Sequence, residues 1–469
     1  MKVSLHIFSI YTGGSVVVER SYLIKPVLGQ SYPTAVSAEG IYIYDMNGKK
    51  YIDGSSGAVT ASIGHCVPEI IEAMNQQAKK VSFVYRSQFT SESAEQLAEK
   101  LAQIAPGDIN WSFFVNSGSE ATETAMKIAI QYWQEQGIYS KNKILSRWMS
   151  YHGITIGALS MSGHIGRRER FVPLLEDWPC ASAPYCYRCP YNSSYPACNL
   201  QCASELERAI QRVGKDNIAA FIAEPVIGAA AGAVVPPQDY YTKIKEICER
   251  NDILFIADEV MTGIGRTGKM FAMEHWGVIP DMIALGKGMS AGYTPMAATL
   301  VSDRVMEPIL KGSRSIMAGH TYSANPQSAA TSLAVLQYIE KENVVENAKQ
   351  SGEYLLKELR QLALFHQIIG DVRGKGLLIG IEFVSNLGEK TPFPSNANLT
   401  NLVIQKGMEQ GLLLYPAAAG DEGLTGNAIM ISPPLIITKN EIDTLVHLFK
   451  QTIEAVELEL QQKGLLSFA

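Results

Sequence analysis

Between about residues 90 and 300, short apolar runs alternate with longer stretches of helical periodicity. "WSFFV" (111–115), "AAFIA" (219–223), "ILFIA" (253–257), "MIAL" (282–285) and "MAATLVS" (296–302) are strand-sized and rich in branched or aromatic residues. Between them run patterns such as "AEQLAEKLAQIA" (94–105), with apolar residues on one helical face, and "QDYYTKIKEICERND" (238–252). Runs that are apolar throughout suit strands buried on both faces. The rhythm therefore predicts an α/β fold, a mainly parallel sheet covered by helices on both faces. Ahead of it, "IYIYDMNGKKYID" (41–53) alternates around Asn47-Gly48 and reads as a hairpin. After about 330, long helical patterns are interrupted by "DVRGKGLLIGIEFV" (371–384) and "AIMISPPLII" (428–437), which read as strands of a second, smaller layer. The predicted division is 1–85 and 331–469 forming the smaller domain together, and 86–330 forming the larger one.

In such a sheet, ligands bind beyond the carboxyl ends of the strands, so the residues that follow each apolar run matter most. After "WSFFV" come Asn116, Ser117, Gly118, Ser119 and Glu120, then a helix. That is either a capping turn or an anion cradle of backbone N–H groups. After "ILFIA" comes Asp258. A carboxylate at the end of a buried strand needs a cation, from the protein or from a ligand. After "MIAL" comes Lys287 between Gly286 and Gly288. It is either a salt-bridged lysine or a desolvated amine that attacks carbonyls. Taken together, an anion cradle, a buried acid and an aldehyde-seeking amine at one sheet edge match pyridoxal phosphate. That cofactor has a phosphate, a ring nitrogen to be kept protonated and an aldehyde.

Composition narrows the class further. The 469 residues are 46% hydrophobic and 18% charged, enough for a sizeable core. The formal charge is −6 with scattered basic residues, which speaks against nucleic acid and anionic membranes as partners. No apolar run reaches membrane-spanning length. "MKVSLHIFSIYTGG" lacks a cleavage pattern, so a cytoplasmic enzyme with mostly reduced cysteines is expected.

The segment 255–298, "FIADEVMTGIGRTGKMFAMEHWGVIPDMIALGKGMSAGYTPMAA", strongly resembles the signature of the class III pyridoxal-phosphate-dependent aminotransferases. "NSGSEATETAMKIA", "YHG", "IAEPV", "HTYSANP", "DVRGKGLLIGIEF" and "ISPPLIIT" stand in that family's order, and the likeness spans roughly residues 30–455. The resemblance implies fold type I, with a seven-stranded, mainly parallel sheet, and a homodimer with active sites at the interface. It also implies roles by position. Lys287 would form the internal aldimine and Asp258 would keep the pyridine nitrogen protonated. Tyr151 and Val260 would cover the two ring faces. Ser117, Gly118 and Ser119 would hold the phosphate, with Thr321 reaching it from the partner chain. Glu224 would stand near the substrate. His152 would lie beside the cofactor with an open role, and His65 would be structural. The implied activity moves an amino group from an amine or amino acid to a keto acid such as pyruvate. A racemase or aminomutase on the same scaffold is the alternative, and a relative that binds the cofactor only as a structural ligand is a third reading.

The sequence departs from that pattern where a substrate carboxylate would be bound. Ornithine- and 4-aminobutyrate-type members carry an arginine two residues before the "(A/S)PP" motif, where this chain has Met430. The preceding loop, "YPAAAGDEGLTGNAIM", holds no arginine either. Arg86, in "FVYRSQF", is the candidate replacement, with Phe83, Tyr85 and Tyr151 as an aromatic substrate wall. Met261, where the 4-aminobutyrate branch has glutamine, favours the ω-transaminase branch. Finally, "YCYRCPYNSSYPACNLQC" carries Cys186, Cys189, Cys198 and Cys202 at spacings open to zinc, disulfides or free thiols. Free thiols and no metal are expected.

Overall fold

The computed structural model describes residues 22–420 and 427–466. The reading of the first fourteen residues, and part of the loop after Tyr415, lie outside them. Three strands open the described chain: β1 (Ala35–Glu39), β2 (Tyr42–Asp45) and β3 (Lys50–Ile52), paired antiparallel in that order. β2 and β3 are the expected hairpin. Its turn is held by Asp45, whose carboxylate accepts from the amides of Asn47 and Lys49, while Gly48 takes a left-handed φ of +77°.

The large sheet has seven strands: β4 (Trp111–Val115), β5 (Lys143–Arg147), β6 (Pro179–Ala181), β7 (Ile218–Ala223), β8 (Leu254–Asp258), β9 (Met282–Leu285) and β10 (Ala297–Val301). Their spatial order is β4-β10-β9-β8-β7-β5-β6. The pairs from β9 through β8, β7 and β5 to β6 are parallel, whereas β10 runs antiparallel to both β9 and β4. β7, β8, β9 and β10 are buried at every position, as their unbroken apolar runs require. β10 is antiparallel because the connection from β9, residues 286–296, is too short for a helical crossover. That short connection contains Lys287.

Helices Gly118–Gln134 and Tyr240–Arg250 are among those packing on the sheet. Near the C-terminus, β11 (Ile369–Lys375), β12 (Leu378–Phe383), β13 (Tyr415–Ala417) and β14 (Ala428–Ile431) form a second antiparallel sheet in the order β11-β12-β14-β13. "DVRGKGLLIGIEFV" is thus two strands with a tight turn. Among the described residues, no helix is long and apolar enough to cross a membrane.

Candidate active site

Five strands of the large sheet deliver residues into one cavity of about 300 Å³. β4 leads to Ser117, Gly118 and Ser119; β5 leads to Tyr151 and His152; β7 leads to Glu224; β8 ends on Asp258; β9 leads to Lys287. These are the strand ends at which the sequence places its chemistry.

The helix Gly118–Gln134 begins at the cavity wall. Ser117 is its N-cap, with Oγ accepting from the Glu120 amide at 3.2 Å, and the Ser117 carbonyl accepts from Ala121 at 3.0 Å. The amides of Gly118 and Ser119, in the first turn, have no acceptor inside the helix. The capping turn thus also presents the unpaired amides that an anion cradle needs. Ser119 Oγ accepts from the Ile154 amide at 3.0 Å, fixing the turn to the segment after Tyr151. A Cβ on Gly118 would stand 2.8 Å from Val260 Cγ1, and one on Gly286 would stand 3.1 Å from the same atom. Val260, which also lines the cavity, fills the space the two glycines leave.

Asp258 is buried at 4% exposure. Its Oδ2 lies 2.7 Å from His152 Nδ1, and its Oδ1 accepts from the Val260 amide at 3.1 Å. An ionised Asp258 requires the hydrogen on Nδ1. His152 Nε2, on the far side of the ring, is buried with no partner. His152 is itself held by its amide, which donates to Ser162 Oγ at 2.8 Å, and by its carbonyl, which accepts from Thr122 Oγ1 at 2.7 Å. The result is an acid locked in orientation at the floor of the cavity.

Lys287 is half-buried and adopts φ +40°, a left-handed conformation uncommon for a side-chain-bearing residue. Its Nζ donates to the Ala58 carbonyl at 2.5 Å. Burial lowers its pKa to about 8, against the opposing pull of Asp258. Glu224 is buried, and its oxygens accept from the Tyr151 and Gly228 amides at 2.9 Å each. Burial pushes its carboxyl pKa upward. Burial also raises the Tyr151 phenol.

Other expected positions fall elsewhere. Phe83 and Tyr85 are exposed and do not line the cavity of their own chain. Arg86 donates from Nη2 to the Ala318 carbonyl at 2.5 Å, with its guanidinium 5.0 Å from the Phe113 ring centre. Thr321 is exposed, and the Phe83 ring meets that of Tyr322 edge-on at 5.8 Å. These residues make one outward-facing patch. Met430 is buried within β14, opposite Gly380. His65 Nε2 lies 3.1 Å from buried Asp53 and does not line the cavity. Cys186, Cys189, Cys198 and Cys202 are free thiols around one small hollow. Among the described residues, no cluster of three or more histidines, cysteines or acids is arranged to hold a metal.

Among the cavity residues that a reading based on strand ends misses are Thr60, Tyr415, from β13 of the other sheet, and Arg167, from the short helix Ile165–Arg168. Arg167 sits in "HIGRRER", which reads as a solvated basic turn. Only the packing of that turn against Tyr151 gives it a place in the site.

Residues 29–453 match the family model described as aminotransferase class-III. The chain is 52% identical over 442 residues to an uncharacterized aminotransferase, YodT, of Bacillus subtilis (strain 168), covering 94% of this chain and 99% of that one. It superposes with a TM-score of 0.87 on a thermostable (S)-enantioselective ω-transaminase from Thermomicrobium roseum, at 36% identity over 93% of this chain and 96% of that one. It also matches an amine transaminase from an uncultivated Pseudomonas species in its PLP-bound form, with a TM-score of 0.87, 33% identity, and coverage of 94% and 100%. With the family match over nearly the whole chain and with Lys287, Asp258 and a helix N-terminus lining one cavity, this chain belongs to the class III aminotransferases, enzymes of pyridoxal-phosphate-dependent transamination.

Proposed function

We propose that this enzyme takes its amino group from an amine or amino acid of the ω-transaminase range and passes it to a keto acid such as pyruvate. The observation that carries this reading is the convergence of Lys287 and Asp258 with the Gly118–Ser119 amides in one cavity. The residues present fit pyridoxal phosphate. The amides of Ser117, Gly118 and Ser119 and the O–H donors of the two serines suit its phosphate, with Thr321 of a second subunit as a further donor. Tyr151 and Val260 suit the two faces of its ring. Asp258 suits its ring nitrogen, and His152 holds Asp258 in place. Glu224 borders the substrate side. When bound, the cofactor supplies an electron sink for the carbon that bears the amino group.

The protein's own work is proton handling and orientation. Lys287, with a pKa of about 8, has a substantial neutral fraction near physiological pH. Its Nζ can take a proton from the amino-bearing carbon and return it, as general base and then general acid. Asp258 is rotationally fixed by His152 and the Val260 amide before substrate arrives, so it meets positive charge without reorganisation. A homodimer belongs to the same reading, supported by the shared exposed patch of Phe83, Tyr85, Arg86 and Thr321. A cytoplasmic location belongs to it too, supported by the seven free thiols. So does the division of the chain near residues 85 and 330, supported by the three separate sheets.

The test is the visible spectrum of the purified protein titrated with single amines and no keto acid. Loss of the yellow band with a given amine, restored by pyruvate, is the expected result. A yellow protein that no amine in a broad panel bleaches would sink the transaminase reading.

A further inference from the structure

We infer that Arg167 is the residue with which this enzyme recognises a substrate carboxylate, so that carboxylate-bearing donors and acceptors are its preferred class. The inference rests on the transaminase reading above and deepens it. Neither position that the family resemblance suggests for such an arginine holds one here: Met430 is buried in a strand, and residues 415–430 contain no arginine.

The cavity has two cations, Lys287 and Arg167. Lys287 is committed to chemistry. Its two acids are also committed, Asp258 to His152 and the Val260 amide, Glu224 to the amides of Tyr151 and Gly228. Arg167 stands at the mouth, with its guanidinium carbon 4.8 Å from the Tyr151 ring centre. Among the described residues, no carboxylate forms an ion pair with it. Its neighbour behaves differently. Arg168 is buried and donates from Nη1 to the carbonyls of Leu159, Ser160 and Ser162 at 2.9, 3.1 and 2.8 Å, pinning the short helix in place. One arginine thus fixes the turn and the other is presented over an aromatic face.

The Arg167 charge reaches the reactive centre. It contributes to the lowered pKa of Lys287, and it opposes protonation of His164, whose pKa burial has already brought to about 4. A neutral His164 beside it leaves Arg167 as the single fixed cation of its wall. That wall follows β5 and meets the cradle after β4 through the Ile154 amide on Ser119 Oγ, while the Arg167 guanidinium lies over the Tyr151 ring. Arg167 is assigned to the substrate on that placement. A planar fork of donors stacked on an aromatic ring is the arrangement that binds a carboxylate in two parallel hydrogen bonds.

The experiment compares holoenzyme with Arg167→Gln, Arg167→Lys and Arg86→Gln variants on two donors, alanine and alaninamide, which differ only in the carboxylate. The same proteins are titrated calorimetrically with propionate, which cannot react. The expected result is that Arg167→Gln lowers the alanine-over-alaninamide ratio of kcat/KM, and weakens propionate, by about tenfold or more. Arg167→Lys should recover part of both. An unchanged ratio and unchanged propionate affinity in Arg167→Gln would overturn the assignment. So would the same losses appearing in Arg86→Gln alone, or loss of bound cofactor as the main defect of Arg167→Gln, which would place the arginine on the phosphate. If the wild type bleaches with no amine of the broad panel, the transaminase reading fails, and the propionate titration still decides Arg167.

Discussion

At the scale of single residues, the site is defined by two charges that the fold makes expensive in different ways. Free in water, the Lys287 ammonium has a pKa of 10.5, and in the site it falls to about 8. Between those values the unfolded chain holds a proton that the folded chain has released, so stability rises with pH across that window. Below about pH 8 both states are protonated, and the folded chain bears the full cost of the buried charge, about 3 kcal/mol at 1.36 kcal/mol per pH unit. Lys287→Met removes that cost together with one hydrogen bond to Ala58, worth about 1 kcal/mol. The cofactor-free variant should therefore be more stable than the parent by about 2 kcal/mol at pH 7, with the gain fading toward pH 10.5. Urea unfolding at pH 7 and at pH 10 checks this; equal stability at pH 7 would mean that the lysine is not desolvated. The same substitution should abolish turnover. Asp258 differs in that its carboxylate is partnered by His152 and a backbone amide. Asp258→Asn keeps the shape and the amide contact. It should cut kcat at least a hundredfold while costing far less stability. If kcat holds, the ring nitrogen must have some other partner.

At the scale of elements, strand ends meet a helix N-terminus with almost no spare room. Alanine is favoured over glycine inside helices by about 1 kcal/mol, so Gly118→Ala should stabilise an isolated helix. Here its methyl would stand 2.8 Å from Val260 Cγ1. Gly118→Ala is expected to displace Val260 and weaken cofactor retention at least tenfold, and Val260→Ala in the same chain should restore most of it. Cofactor content after dialysis reads both; full retention in the single variant would show that the cradle can widen. The rhythm of apolar runs made these elements legible, because strands buried on both faces leave a continuous apolar signature. Asp258, Lys287 and Ser117 to Ser119 were legible because each directly follows such a run. The reversal of β10 was not read, although the few residues between "MIAL" and "MAATLVS" contained it. β5, β6 and β13 have no comparable signature, being short or having polar residues at their ends. Arg167 was illegible for another reason. Its role depends on how a four-residue helix packs on Tyr151, and no periodicity in "HIGRRER" carries that.

At the scale of the whole molecule, the two chain ends must hold their positions around the cavity, and one buried arginine joins them to the large sheet. Arg266 is 2% exposed. Its Nη1 donates to the carbonyls of Leu377 and Pro433 at 3.0 and 2.6 Å, and its Nη2 donates to Ser56 Oγ at 3.2 Å. Ser56 in turn donates to the Ser432 carbonyl at 2.7 Å. Three segments distant in sequence therefore share one guanidinium, without a carboxylate in direct contact among the described residues. Burial works against its charge, and Asp53 offsets this only in part. Ser56 lies two residues from Ala58, the carbonyl that holds Lys287, so the same junction sets the resting place of the reactive amine. Arg266→Met would keep the bulk of the stem and leave two carbonyls and a hydroxyl without their donor. Two buried carbonyls left unsatisfied cost about 1–3 kcal/mol each, relief of the guanidinium's desolvation offsets part of this, and a net loss of stability is the expected outcome. Arg266→Lys, with one compact donor head in place of a fork, should fall between that variant and the parent. Denaturant unfolding gives the stability, and cofactor absorbance on the same samples reports the site. The ordering parent, lysine, methionine should hold in both. A methionine variant within 1 kcal/mol of the parent would show that the chain ends are held by apolar packing alone. The arginine would then be tolerated in the core without being needed to close it.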